Sequence, residues 1–330
     1  MLGQIVYQRL LPYFRKAWTR DVEVRVKDLR QHLSAVQAEL AELQRSHRKL
    51  VIGEWMARRA LLLPTLDSRL NADAIRAHVT NVVRATPVTT EPTTYAVFDR
   101  VLPDDFYTLL AEAIPPAEMF PTRDPVKTDY EMDEMPSAPE VTRRVWQFFD
   151  NEVVAKMLAP AILERFHDAV VAHYAETGGT AFGERAAAIP HRTVAGRIQL
   201  RRPGYHLRPH LDPKRVAITG LMYFAQPGDP EAYGTQLFKV DRPFVASGMK
   251  TFFPEEEGLK VELAYTVPFR ANTLLAFVNS RAAHGATLPA DAPLHERFAF
   301  QFYIKPDDGE LKKLLKDVPE SARAAWSALA

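Results

Sequence analysis

Between positions 196 and 305 the chain is a succession of strand-type segments, and this run limits the fold more than any other feature. GRIQLRR, RVAITGLMYFA, YGTQLFKV, VELAYTV, TLLAFVN and RFAFQFYIK are rich in β-branched and aromatic residues and are bounded by Gly, Pro or Asp. Helical patterns come earlier: around 71–84, from a cap at Asp104 or Asp105, over 140–157 and over 160–177. Helices first and strands afterwards predict an α+β chain whose C-terminal half is an all-β sandwich or jelly roll. Positions 306–330 read as a closing helical tail.

The N-terminus has a different period. Val22, Val26, Leu29, Leu33, Val36, Leu40, Leu43, His47 and Leu50 step by four and three, with charged and polar residues between them and no Gly or Pro until Gly53. That is a heptad seam on a long helix. It suits a coiled coil that makes a homodimer, or a long amphipathic helix laid on the chain's own body. Positions 1–60 carry 12 Lys and Arg against 6 Asp and Glu, a local +6 in a chain of net +1. The segment is therefore a basic arm on a mildly acidic body, which suits docking on an acidic partner or surface, although there is no specific nucleic-acid motif. The leading apolar run has its positive charges after it, the wrong order for a secretory signal, and no stretch is apolar for long enough to make a transmembrane segment. The expected location is cytoplasmic. Positions 61–94 read as a helical connector that ends in a Thr/Pro linker.

With no cysteine in the chain, thiolate metal sites, iron–sulfur clusters and cysteine nucleophiles are excluded. A metal must then sit on His, Asp and Glu. His210-Leu-Asp212 is the only His-x-Asp or His-x-Glu in the sequence and follows the Pro203-Gly204 turn. Strand alternation predicts that His206, Arg208, His210 and Asp212 share a face. A second strand, TLLAFV, leads to His284. Two imidazoles and one carboxylate leave coordination positions open, the facial triad suited to non-haem Fe(II). Further on, Arg297, Ala299, Gln301 and Tyr303 alternate with Phe298, Phe300 and Phe302. A planar guanidinium among aromatics suits a carboxylate.

These blocks, YAVFDRVLPDDF, RRPGYHLRPHLDPKRVAITGLMYFAQ, YGTQLF and NTLLAFVNSRAAHGAT with RFAFQFYI, resemble the Fe(II)- and 2-oxoglutarate-dependent dioxygenases, most closely the prolyl-4-hydroxylase-like branch. The resemblance spans about two thirds of the chain, positions 95–305. It implies a double-stranded β-helix core with flanking helices, iron held by His210, Asp212 and His284, and 2-oxoglutarate as co-substrate, its distal carboxylate held by Arg297 and the Tyr223 hydroxyl. Ascorbate is an implied reductant. The implied reaction hydroxylates an unactivated C–H bond and yields CO2 and succinate. Asp212 argues against the related halogenases, which have a small residue there.

The substrate is expected to be a small molecule, with a proline in a protein as the alternative and a non-catalytic adaptor with a ligand-binding jelly roll as a reading of another class. Residues singled out for the substrate or pocket are Tyr205, His206, Arg208, Arg215, Gln301, Tyr303 and Tyr130. Tyr130 lies in the acidic, aromatic run 127–135, expected to be a mobile loop facing the site. Two departures from the family pattern stand out: Gly234-Thr235 replaces a pair of glycines, and the stretch 240–265 is long enough to serve as a substrate lid.

Overall fold

A computed structural model describes residues 2–121, 124–242, 250–293, 296–318, 320, 323 and 326. The chain divides into two compact units, residues 1–57 and 58–330. The first is helical, part of a helix that runs Leu2–Ala60 and passes through Gly53 without a break. Its predicted seam is exposed in the single chain, from 39% at Val26 to 73% at Leu50. Among the described residues no helix is long and apolar enough to cross a membrane.

Among the described residues the second unit holds ten strands: β1 (Tyr95–Phe98), β2 (Lys127–Glu131), β3 (His191–Arg201), β4 (His206–His210), β5 (Ile218–Tyr223), β6 (Gln236–Val240), β7 (Val261–Thr266), β8 (Thr273–Val278), β9 (Ala282–Thr287) and β10 (Arg297–Pro306). They form a six-stranded sheet in the order β1-β8-β5-β10-β3-β2 and a four-stranded sheet in the order β4-β9-β6-β7, antiparallel throughout. The central strands β5 and β8 are buried at every position, whereas the edge strand β7 is mostly exposed. Apolar residues of both sheets meet between them: Leu221, Leu275, Phe277 and Ala299 from the larger pack with Leu237 from the smaller and with Phe269.

The outer face of the larger sheet carries the helices, and the alternation of β10 explains why. Phe300 and Phe302 point outward into the main core, where the Phe300 ring lies 5.4 Å from Trp146 and 5.2 Å from Phe149. Trp146 belongs to helix Glu140–Phe148, and Phe149 opens the wider π-helical turn Phe149–Leu158 that continues it. Phe302 needs a glycine beneath it, since a Cβ on Gly220 would stand 2.2 Å from its ring. Truncating Phe300 to alanine would cost about 3 to 5 kcal/mol at a site packed this way.

One expectation is corrected here. The run 127–135 is not a loop: it forms edge strand β2, paired along β3, followed by a 3-10 helix Met132–Ser137. The connector 61–94 is built into the body, because helix Ala72–Ala85 buries Ile75, Val79 and Val83 in the main core. Of the expected lid, residues 243–249 lie outside the described residues, and much of the remainder is β7 and the 3-10 turn Pro254–Glu257. The tail contains a helix Asp308–Leu314 capped by Asp307, with its last residues outside the described set.

Candidate active site

His210 closes β4 and His284 sits in β9, directly opposite in register. Their rings are 4.1 Å apart between centroids, and donor atoms of His210, Asp212 and His284 all lie within 4.8 Å of one another, each residue buried. Nε2 of His210 is 4.0 Å from one Asp212 oxygen and Nε2 of His284 is 3.6 Å from the other. The Nδ1–H of His210 donates to the Arg208 carbonyl at 2.9 Å, which leaves Nε2 with its lone pair directed at the cluster. Burial, reinforced by His210, pushes the His284 imidazole down to about 3, so it is a neutral donor over the working pH range.

Asp212 lies on a loop that another residue pins. Asn279, at the end of β8, accepts from the Asp212 N–H through Oδ1 and donates from Nδ2 to the carbonyls of Asp212, Pro213 and Val216. The carboxylate is oriented from the larger sheet: Thr219 donates to Oδ2 at 2.6 Å and Tyr303 to Oδ1 at 2.9 Å. Such outer hydrogen bonds set both the direction and the basicity of a metal-binding carboxylate. Two imidazoles and one oriented carboxylate, buried close together, are a donor set that fits a divalent cation.

The cluster opens into a pocket of about 320 Å³ between the sheets. Three facing rows of the larger sheet run along it, of which Glu131, Ala299 and Tyr223 are not among the lining residues. Lys127, Arg201 and Arg297 share one row, Asp129, Gln199, Ala299 and Tyr223 the next, and Glu131, Arg197, Gln301 and Leu221 the third. Arg297 is 3% exposed, lies over the rings of Phe269 and Tyr223 at 5.1 and 5.4 Å, and has Nε and Nη2 buried without a hydrogen-bond partner. Burial pulls its guanidinium below its ordinary value, opposed by Tyr223. A desolvated guanidinium with two unused donors fits a carboxylate. The Tyr223 hydroxyl donates to Thr235 Oγ1 at 2.8 Å and accepts from the Thr235 N–H at 3.1 Å, and burial pushes its pKa up, partly offset by Arg297.

Of the residues singled out in sequence, Tyr205, Gln301 and Tyr303 line this pocket together with the metal donors and Arg297. His206 and Arg208 do not: they are exposed, His206 bonded to Thr287 and Arg208 paired with Glu256. The cause is a bulge between Leu207 and His210, which inserts one residue into the pairing with β9. Simple alternation then fails, and Leu207 joins His210 on the inner wall. Tyr130 faces the opposite side, packing edge-on against Phe120 in the main core, and Arg215 lies outside the pocket lining. Residues not singled out include Arg197, Gln199, Arg201, Thr235 and Asn279. Alternation from Gly196 would have put the first three on one face, whereas nothing local marks Asn279 as a partner of a loop 67 residues away.

No protein-family model and no curated protein sequence matches the chain. Solved structures with a similar course of the chain include a prolyl-4-hydroxylase from Pseudomonas putida, at 15% identity over 69% of this chain and 99% of that one, with a TM-score of 0.38. A prolyl 4-hydroxylase from Phytophthora capsici matches at 14% identity over 78% and 74%, with a TM-score of 0.40. HygX from Streptomyces hygroscopicus, crystallised with nickel, 2-oxoglutarate and hygromycin B, matches at 15% identity over 64% and 82%, with a TM-score of 0.37.

Proposed function

We propose that residues 58–330 form an Fe(II)- and 2-oxoglutarate-dependent dioxygenase, built on a double-stranded β-helix, that hydroxylates a small molecule. The observation that carries this reading is the pairing of two features in one pocket: a buried His210, Asp212 and His284 donor set, and a buried Arg297 whose Nε and Nη2 have no partner. The motif resemblance quoted from the sequence points to the same pair of ligands. Bound at this site, iron with 2-oxoglutarate supplies oxygen activation, with CO2 and succinate as co-products. The chain's own residues do the positioning. His210, Asp212 and His284 would hold the cation, and Thr219 and Tyr303 fix the Asp212 carboxylate. Arg297 would offer Nε and Nη2 to the distal carboxylate, beside the Tyr223 hydroxyl, whose hydrogen goes to Thr235 in this structure.

A pocket of this volume suits a metabolite-sized substrate. The test is oxygen-dependent conversion of 2-oxoglutarate to succinate by the full chain with Fe(II). Turnover in the wild type that disappears in Asp212→Ala supports the reading; wild-type protein that binds iron without succinate formation favours the non-catalytic adaptor. For the first unit, the exposed seam from Val22 to Leu50 favours pairing with a second copy. Sedimentation of the full chain against Leu33→Glu/Leu40→Glu tests this: a dimer converted to monomer supports pairing, and a wild-type monomer refutes it.

A further inference from the structure

The charges lining the pocket do not balance, and one excess cation, Arg197, stands away from Arg297. Four cationic side chains, Lys127, Arg197, Arg201 and Arg297, face two anionic ones, Asp129 and Asp212. A ferrous ion and a 2-oxoglutarate dianion cancel each other and leave this difference unchanged. Arg201 has its own partners: Nη2 approaches Asp129 Oδ1 at 2.8 Å and Nη1 donates to the Thr128 and Leu200 carbonyls. With Asp212 on the metal and Arg297 on 2-oxoglutarate, Arg197 and Lys127 are the cations left over.

Arg197 is placed for a ligand of its own. It pairs with Gln301, whereas Arg297 pairs with Arg201, so the two guanidinium groups stand four residues apart along β3 and β10. That is about 13 Å of strand. All its hydrogen-bond partners are neutral: Nη2 donates to Gln301 Oε1 and, at 3.4 Å, to the Tyr303 hydroxyl. Its Nε is buried with no partner. Its neighbour in register, Glu131, directs its carboxylate to the backbone N–H of Glu134 at the start of the following 3-10 helix. Among the described residues Arg197 has no ion pair. A partly buried guanidinium facing only amide and hydroxyl oxygens, with one donor unused, is costly until an anion arrives. The same Tyr303 hydroxyl donates to Asp212, so the Arg197 donors lie one side chain away from the metal cluster.

Resting on the iron and 2-oxoglutarate reading above, we propose that Arg197 binds an anionic group of the substrate, a carboxylate or a phosphate. The substrate class is then an anionic small molecule, held by its charged end close to the metal. Neither a neutral substrate nor a cationic one matches this wall.

The test uses the full chain under anaerobic conditions with Fe(II) and 2-oxoglutarate, titrated with benzoate, phenyl phosphate and benzamide. Binding is read from the iron-to-2-oxoglutarate charge-transfer band and from the thermal midpoint. At least one anion is expected to bind about tenfold or more tightly than benzamide, the contribution of a charge-assisted contact. Benzoate alone would assign a carboxylate and phenyl phosphate alone a phosphate. Arg197→Gln should erase the preference and Arg197→Lys keep part of it, while the 2-oxoglutarate dissociation constant stays within about twofold of wild type. Three results would overturn the proposal: no preference for an anion in the wild type, including no binding at all; an undiminished preference in Arg197→Gln; or a loss of 2-oxoglutarate affinity in Arg197→Gln as large as in Arg297→Gln, which would assign Arg197 to the co-substrate. Absence of the charge-transfer band in the wild type marks failure of the cofactor reading instead, and the thermal titration still reports on the anion site.

Discussion

The metal donors and the polar wall come from different sheets. His210, Asp212 and His284 belong to the four-stranded sheet and its loop, whereas Arg297, Tyr223, Gln301, Tyr303 and Arg197 stand on the six-stranded one. The smaller sheet is thinly supported: β4 is five residues long with a bulge, and β7 is largely exposed. The His210, Asp212 and His284 cluster is secured from outside, by Asn279 on the loop backbone and by Thr219 and Tyr303 on the carboxylate. The larger sheet is held between two cores, so its inward side chains start from a fixed backbone. On the proposed reading, one sheet therefore carries the metal cluster and the other the side chains that orient what binds beside it. Substitutions on each should separate in what they disturb.

The largest effect is expected from a donor on the smaller sheet. His284→Ala should weaken anaerobic Fe(II) binding by about a hundredfold or more, beyond what loss of an outer contact causes, with the fold retained by circular dichroism. On the larger sheet, Arg297→Gln should leave iron binding close to wild type and weaken 2-oxoglutarate by about thirtyfold to a hundredfold, measured by titration at saturating iron. If His284→Ala spared iron, or Arg297→Gln abolished iron binding, the division between the sheets would be wrong.

The helical face of the larger sheet offers a test that leaves the pocket alone. Asp150 lies against Gly196 of β3, where an added Cβ would be 2.7 Å from its Oδ1. Burial first, and Asp133 second, push its carboxyl from 3.8 up to about 6. An acid whose pKa is raised on folding contributes full stability below its unfolded value, and that contribution is lost as pH rises through about 6. Asp150→Asn should therefore be more stable than wild type near neutral and alkaline pH, by about 2 to 3 kcal/mol, with the two curves converging in acid. Equal midpoints at alkaline pH would contradict it. Smallest is the contact that joins the sheets: Tyr303→Phe removes one of two donors on Asp212 and should lower iron affinity by about tenfold, with Thr219 still in place. An unchanged iron titration would show that Thr219 suffices.

The same contrast governs how much of the molecule is legible in its sequence. The metal donors lie in short local signals, His210-x-Asp212 and a His284 that follows a strand, and these are brought together in space. The alternation of β10 also carries through, because its bulge falls on the β3 side, at Ala195 with φ of 55°. Alternation misleads at β4, where the bulge turns His206 and Arg208 outward, and at β2, whose acidic composition resembles a loop although β3 pairs with its whole length. Bulges and edge pairing are decided by the partner strand, which a single strand's sequence does not reveal. Arg197 and Asn279 stay hidden for related reasons: the value of one depends on neutral neighbours, and that of the other on a loop far along the chain.

The most direct test of the central claim is an anaerobic titration of 2-oxoglutarate into Fe(II)-loaded full-length protein, read by the charge-transfer absorption, with Arg297→Gln alongside. The account predicts a saturable band in the wild type and a band in Arg297→Gln only at much higher 2-oxoglutarate. No band in the wild type, or the same midpoint in both proteins, would contradict it.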